Sequence, residues 1–194
     1  MGSIFSFQFF QHALIASVLT AVICGLVGSY IVVRRIVFVS GGITHASFGG
    51  IGLGLYLSIN PILSAAVAAV VAAFSIGKLS RTEGVREDSA IAGIWALGMA
   101  LGVLFMTLTP GYTTSLPAYL FGNILLVTTS DLLALGVLAL VLSALFILCY
   151  RPILYISFDR DFAQVRGLRA NFWERLLLVL VAVSLVLTIR SVGI

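Results

Sequence analysis

Charge is what this chain lacks. Of its 194 residues only 9% are Asp, Glu, Lys or Arg, whereas a soluble domain spreads about a quarter of its residues as charge over its surface. Residues 1–33, 36–77 and 89–150 hold one formal charge between them, the Asp131 carboxylate. With 61% hydrophobic residues and a mean hydropathy of +1.19, too little polar surface remains to wet a globule, and a soluble fold is excluded. Cysteine is scarce as well. Cys24 and Cys149 lie inside apolar runs with no partner at metal or disulfide spacing, so they read as packing residues and say nothing about redox compartment. The N-terminus, MGSIFSFQFF, lacks the basic n-region and small-residue cleavage site of a removable signal peptide. The first apolar segment is therefore expected to stay in the mature chain. Internal repeats, heptads and low-complexity tails are also missing, and a single membrane domain over residues 1–194 is expected.

What charge there is falls in order. Ten of the eleven basic residues lie in three short segments, Arg34-Arg35, Lys78 to Arg86 and Arg151 to Arg175. A helix needs about 20 apolar residues, at about 1.5 Å each, to cross a hydrocarbon core of about 30 Å. That rule predicts an all-α integral membrane fold of about six transmembrane helices, near 9–33, 43–60, 62–78, 89–109, 131–150 and 175–191. Asn60-Pro61 separates the second from the third, and Thr109-Pro110-Gly111-Tyr112 ends the fourth, because proline ends one helix and suits the first turn of the next. The segment SLPAYLFGNILLV, Ser115 to Val127, is apolar but too short to span, and a short re-entrant helix is expected there. All three basic segments then share one side, which the positive-inside rule makes the cytoplasm, with the N-terminus outside. The net charge of +4 thus marks topology beside anionic lipid, not a nucleic-acid surface.

Chemistry concentrates in IVFVSGGITHASFGGIGLGLY. His45 lies ten residues past Arg35, about 15 Å into the bilayer on a helix starting there. Gly41-Gly42 predicts a helix break around Ser40, Thr44, His45 and Ser47. An ionisable residue at such depth is a functional-site candidate, and imidazole is a common ligand of transition metals. The other reading, a histidine hydrogen-bonded to a neighbouring helix or a backbone carbonyl, is equally open. Gly49, Gly50, Gly52 and Gly54 lack the strand and βαβ unit that a dinucleotide loop requires. Close helix packing accounts for them, as for Gly98-x-x-x-Gly102 and the alanines from Ala65 to Ala73. After the fifth span, SFDRDFAQVRGLRANFWER offers Asp159 as a helix cap and Gly167 as a stop, with Phe162 and Val165 on one side. Such a short amphipathic helix either lies on lipid, held by Arg160, Arg166, Arg169, Phe172 and Trp173, or docks into another protein's groove.

Four stretches together resemble a known family, the membrane permeases of zinc, manganese and iron ABC uptake systems (metal ABC transporter permeases, ABC-3 family). They are Arg34-Arg35 followed by FVSGGITHASFGG, EDSAIAGIWALGMALG at 87–102, YLFGNILLV at 119–127 and FDRDFAQVRGL at 158–168. The resemblance implies a permease subunit of a bacterial inner-membrane importer for a divalent metal ion, with no catalytic residue and no cofactor of its own. It implies a homodimeric pore, a cytoplasmic ATPase that binds ATP, and an extracellular or periplasmic metal-binding protein. Asp159, Arg160, Asp161, Phe162, Ala163, Val165, Arg166 and Gly167 would form the coupling helix that enters the ATPase. Tyr119, Leu120, Phe121 and Gly122 would gate the path near its external mouth. Many members carry Asp-x-x-x-His at the start of the second helix; here His45 is kept and Gly41 stands at the aspartate position. Members also run on for about two further helices beyond RSVGI, so the chain reads as C-terminally shortened: a truncated product, a shortened permease or a fragment. A permease for iron chelates or cobalamin, and a truncated subunit that only assembles with other membrane proteins, are the rival readings. An intramembrane enzyme is disfavoured, since no span holds paired aspartates, His-Glu-x-x-His or Gly-x-Ser-x-Gly.

Overall fold

The computed structural model describes residues 7–80, 83–110 and 122–193. Helices account for nearly all of them, in the order α1 (Gln8–Val33), α2 (Val37–Tyr56), α3 (Pro61–Leu79), α4 (Glu87–Leu108), α5 (Thr129–Leu148), α6 (Tyr150–Phe158), α7 (Arg160–Val165) and α8 (Ala170–Val192). The protein is an all-α membrane protein. α1, α3, α4, α5 and α8 are long and apolar enough to cross a bilayer. Their outer faces carry Val18, Leu63, Val67, Leu97, Leu133 and Leu140, each more than half exposed, a surface suited to hydrocarbon. α2 has the length, 20 residues, but is diluted by glycine, serine, threonine and histidine. It is the inner helix: ten of its residues are buried, and it packs chiefly against α3 and α4, with α8 alongside.

Two apolar cores hold the bundle. One joins α1, α5, α6 and α8 through Ile23, Val27, Leu138, Leu142, Ile153 and Leu177. The other joins α2, α3, α4 and α8 through Ile43, Ala69, Ile76, Ile91, Ala182 and Val186. α8 is the wall common to both. A buried contact between the Thr20 and Ser191 hydroxyls, 3.2 Å apart, adds a polar link from α1 to α8.

Local chemistry sets the ends of the helices. The Asn60 side chain accepts hydrogen bonds from the amides of Ile62 (2.9 Å) and Leu63 (3.3 Å), and Pro61 opens α3, satisfying donors that a helix start leaves free. Asp131 forms a capping box with Thr128, accepting from its amide at 2.9 Å and its hydroxyl at 2.6 Å. The one charge of the long uncharged runs is thus part of a helix cap. The break between α5 and α6 at Cys149 has its cause in Pro152, which has no N–H for the Leu148 carbonyl and whose ring crowds it.

Several boundaries depart from those the sequence predicts. α2 starts at Val37 rather than near 43 and runs unbroken through Gly41-Gly42. A β-carbon at Gly42 would stand 2.8 Å from Ile91 Cγ2 and 3.4 Å from Ile76 Cδ1. Contact with two neighbouring helices offsets the roughly 1 kcal/mol that each glycine costs a helix. α2 ends at Tyr56, and residues 57–60 form a tight turn with Ser58 at φ +55° and the Ile59 amide bonded to Gly54 O. α8 starts at Ala170, ahead of 175, because its first turns carry the paired Glu174 and project beyond the apolar stretch. α6 is helical where the sequence suggests loop. Of the expected re-entrant helix from Ser115 to Val127, residues 115–121 lie outside the described residues, and 124–126 form a single 3-10 turn.

The three basic segments meet at one end of the bundle. Arg34, Gly77, Ser80, Glu87 and Glu174 all line a single cavity of about 230 Å³, which brings together the ends of α1 and α3 and the starts of α4 and α8. At the opposite end the His12 ring packs Nδ1 3.2 Å from Val127 O.

Candidate functional site

The seam between α2 and α4 is made by missing side chains. A β-carbon on Gly49 would stand 2.8 Å from Gly98 O, and one on Gly52 would stand 2.5 Å from Gly102 O. On the other face of α2, a β-carbon at Gly50 would come within 2.8 Å of Ala65 Cα on α3. Backbones this close leave no room for any side chain at those positions.

That approach lays the imidazole of His45 flat on the indole of Trp95, with ring centroids 4.0 Å apart and planes 9° from parallel. His45 Nδ1 is buried and has no hydrogen-bond partner. The hydroxyls around it do not turn towards it. Ser40 donates to Val37 O at 2.6 Å, Thr44 to Ser40 O at 2.9 Å and Ser47 to Thr44 O at 2.6 Å, each satisfied by its own helix. Gly41, one turn before His45, has space: a β-carbon there would meet only Trp95 Cζ3, at 4.0 Å. No group of three or more His, Cys, Asp or Glu side chains that could hold a metal ion occurs among the described residues. His45 therefore offers a single imidazole, on a half-open face whose other member, Trp95, is 40% exposed.

The second candidate is the segment after Cys149. Asp159 Oδ1 accepts from the Phe162 amide at 2.9 Å and so caps α7. Gly167, at φ +80°, closes it, with its amide on Gln164 O and that of Leu168 on Ala163 O, the reversal that glycine permits at a helix end. Ala163 is fully buried and anchors the turn, whereas Val165 is 86% exposed and Phe162 41%. Phe162 is held edge-on to Tyr155 at 5.4 Å, with the Arg166 guanidinium 5.3 Å above its ring. Asp161 lies in the first turn, exposed.

Arg160 turns inward from α7. It donates to Asn171 Oδ1 at 2.5 Å and sits with Nε 3.5 Å from Glu174 Oε2, in ion-pair range but without hydrogen-bond geometry, since Nε has no hydrogen-bond partner. Glu174 Oε1 accepts from Arg34 at 3.0 Å, and Arg34 donates its other nitrogen to Ile156 O at 3.0 Å.

Sequence reasoning missed Trp95 and Glu174. Nothing in the pattern marks Trp95, whose role follows from the α2–α4 register. Glu174 carried a signal, being the only carboxylate among Arg166, Arg169 and Arg175. Of the four expected gate residues, Tyr119, Leu120 and Phe121 lie outside the described residues. Gly122 adopts φ +58°, and a β-carbon there would be 2.6 Å from Ile189 O of α8.

The pattern of the ABC 3 transport family matches residues 6–194. The chain belongs to that family. A probable metal transport system membrane protein of Chlamydia pneumoniae is 42% identical over 175 residues, covering 87% of this chain and 60% of that protein. The manganese transport system membrane protein MntC of Halalkalibacterium halodurans is 33% identical over 192 residues, covering 97% and 65%. The chain thus spans less than two thirds of the length of these two curated relatives. Among solved structures, PsaBC from Streptococcus pneumoniae in complex with Fab superposes with a TM-score of 0.85 at 29% identity, over 97% of this chain and 68% of that one. With these relatives, the apolar helices place the family member among multi-pass proteins of the bacterial inner membrane.

Proposed function

We propose that the chain is the permease part of an ABC importer for a divalent metal ion, manganese foremost, with zinc and iron as the further candidates. The reading rests above all on relatives named for metal and manganese transport. His45 is the ion's contact within the membrane, its Nδ1 buried and unpartnered beside Trp95. One imidazole holds a divalent ion weakly, so a second ligand is needed. A homodimer supplies it, with the half-open His45–Trp95 faces of two copies enclosing the path. α7 docks into a cytoplasmic ATPase, which binds ATP and supplies the energy. Gly122 and residues 119–121 gate the outer mouth, where an extracellular or periplasmic metal-binding protein delivers its cargo.

The test is uptake of radioactive manganese, zinc and iron in cells that supply the other subunits. His45→Ala should lower uptake by at least about tenfold, the loss that even an outer-shell partner of a metal site carries. Gly41→Asp should raise the metal content of the purified protein, because a carboxylate and an imidazole at i and i+4 share a helix face and can grip one ion. Tighter holding should slow release. Parental uptake by His45→Ala, with no added metal in Gly41→Asp, would make His45 a packing residue.

Orientation has its own test. Val165→Cys, at the basic end, in cells expressing this chain without the ATPase, should resist an impermeant thiol reagent while the cells are intact and react once the membrane is opened, the positive-inside expectation. Leu126→Cys, exposed at the opposite end, should react in both. The reverse pattern would invert the topology.

A further inference from the structure

Around the cavity of about 230 Å³ at the basic end, Tyr30, Arg34, Val39, Gly77, Ser80 and Glu174 line the space between α1, α2, α3 and α8. What spans the gap is charge. Arg34, at the end of α1, reaches both Glu174 on α8 and the Ile156 carbonyl on α6, each at 3.0 Å. Glu174 faces Arg160 of α7 with its other oxygen. Its side chain is 14% exposed and that of Arg34 27%. Removing one member of such a pair leaves the other charge buried without its partner. The link is also rigid, since α7 is braced a second time through Arg160 and Asn171.

We infer that Glu174 is the positioning residue that couples α7 to the transmembrane helices: a displacement of α7 reaches α8 and α1 through the Arg160–Glu174–Arg34 line. This rests on the reading of α7 as the ATPase-docking helix. The apolar contacts of α7 alone would let it rock, because its one buried residue is Ala163. Two guanidiniums meeting on one carboxylate instead make α7, α8 and α1 move together.

The experiment uses the full chain reconstituted with its ATPase, comparing Glu174→Gln, which keeps the shape and removes the charge, with the conservative Glu174→Asp. Glu174→Gln should still stimulate ATP hydrolysis, as Phe162 and Val165 are unaltered, while manganese moved per ATP falls by about tenfold, within the range of ordinary allosteric coupling. Glu174→Asp should recover part of the ratio. In the chain alone, amide exchange in Glu174→Gln should speed up over 159–167 and leave α2–α4 unchanged. A parental ratio of transport to hydrolysis, or parental exchange over 159–167, would overturn the inference. So would exchange raised throughout the bundle, which would make Glu174 a general stability residue. If the parental chain itself fails to stimulate the ATPase, the docking reading falls, and the exchange arm still decides whether Glu174 holds α7.

Discussion

Replacing Gly98 with leucine is expected to separate α2 from α4 and to cost the protein most of its stability. A β-carbon there meets the backbone of Ala46, its carbonyl oxygen at 2.8 Å, so no rotamer change can relieve the clash. Overpacking where a side chain can yield costs about 1–3 kcal/mol. Backbone against backbone should reach or exceed the upper figure, and helices in lipid have no hydrophobic drive to hold them together once close contact is lost. Thermal unfolding of the purified protein in lipid nanodiscs reads this directly. Gly25→Ala is the control: no atom lies within 4 Å of its β-carbon, and alanine should add up to about 1 kcal/mol of helix propensity. A Gly98→Leu protein as stable as the parent would show that α2 and α4 do not meet through that residue.

If α7 docks as proposed, Val165→Glu is expected to abolish stimulation of ATP hydrolysis while leaving the chain folded. Val165 is 86% exposed, so the unpartnered chain tolerates a carboxylate. In a docking cleft the same charge is desolvated and unpaired, at a cost of a few kcal/mol, and about 3 kcal/mol weakens docking on the order of 100-fold. Phe162→Glu should act alike, with an added loss from its contact with Tyr155. Ala163→Glu makes the contrast: Ala163 is fully buried, and that variant should fail to fold. Undiminished ATPase stimulation in Val165→Glu and Phe162→Glu would leave only a lipid-surface role for the segment.

Much of this was legible in the sequence because lipid imposes a coarse grammar. The absence of charge over 36–77 forces two helices into that stretch, and Asn60-Pro61 has the chemistry to divide them. Asp159 and Gly167 carry local cap chemistry, which depends on neighbours in sequence and needs no tertiary context. Gly41-Gly42 misled for the opposite reason: its helical state depends on Ile76 and Ile91, far along the chain, and propensity alone ranks glycine as a breaker. Trp95 under His45 was invisible on the same grounds, since only the α2–α4 register brings the rings together. The α5–α6 break hinges on Pro152 and was readable, but the basic residues from Arg151 onward disguised a further helix as loop.

That α8 walls both cores has a consequence for biogenesis. α8 leaves the ribosome after the other described helices that it touches. Until then, Ile43, Ala69 and Ile76 on one side, and Ile23 and Leu142 on the other, lack the partners that Ala182, Val186 and Leu177 provide. Thr20 likewise waits for Ser191. Nascent chains halted before α8 should therefore hold inserted but loosely associated helices, the kind of species that membrane proteases recognise, and the emergence of α8 shields both cores from such surveillance at one step.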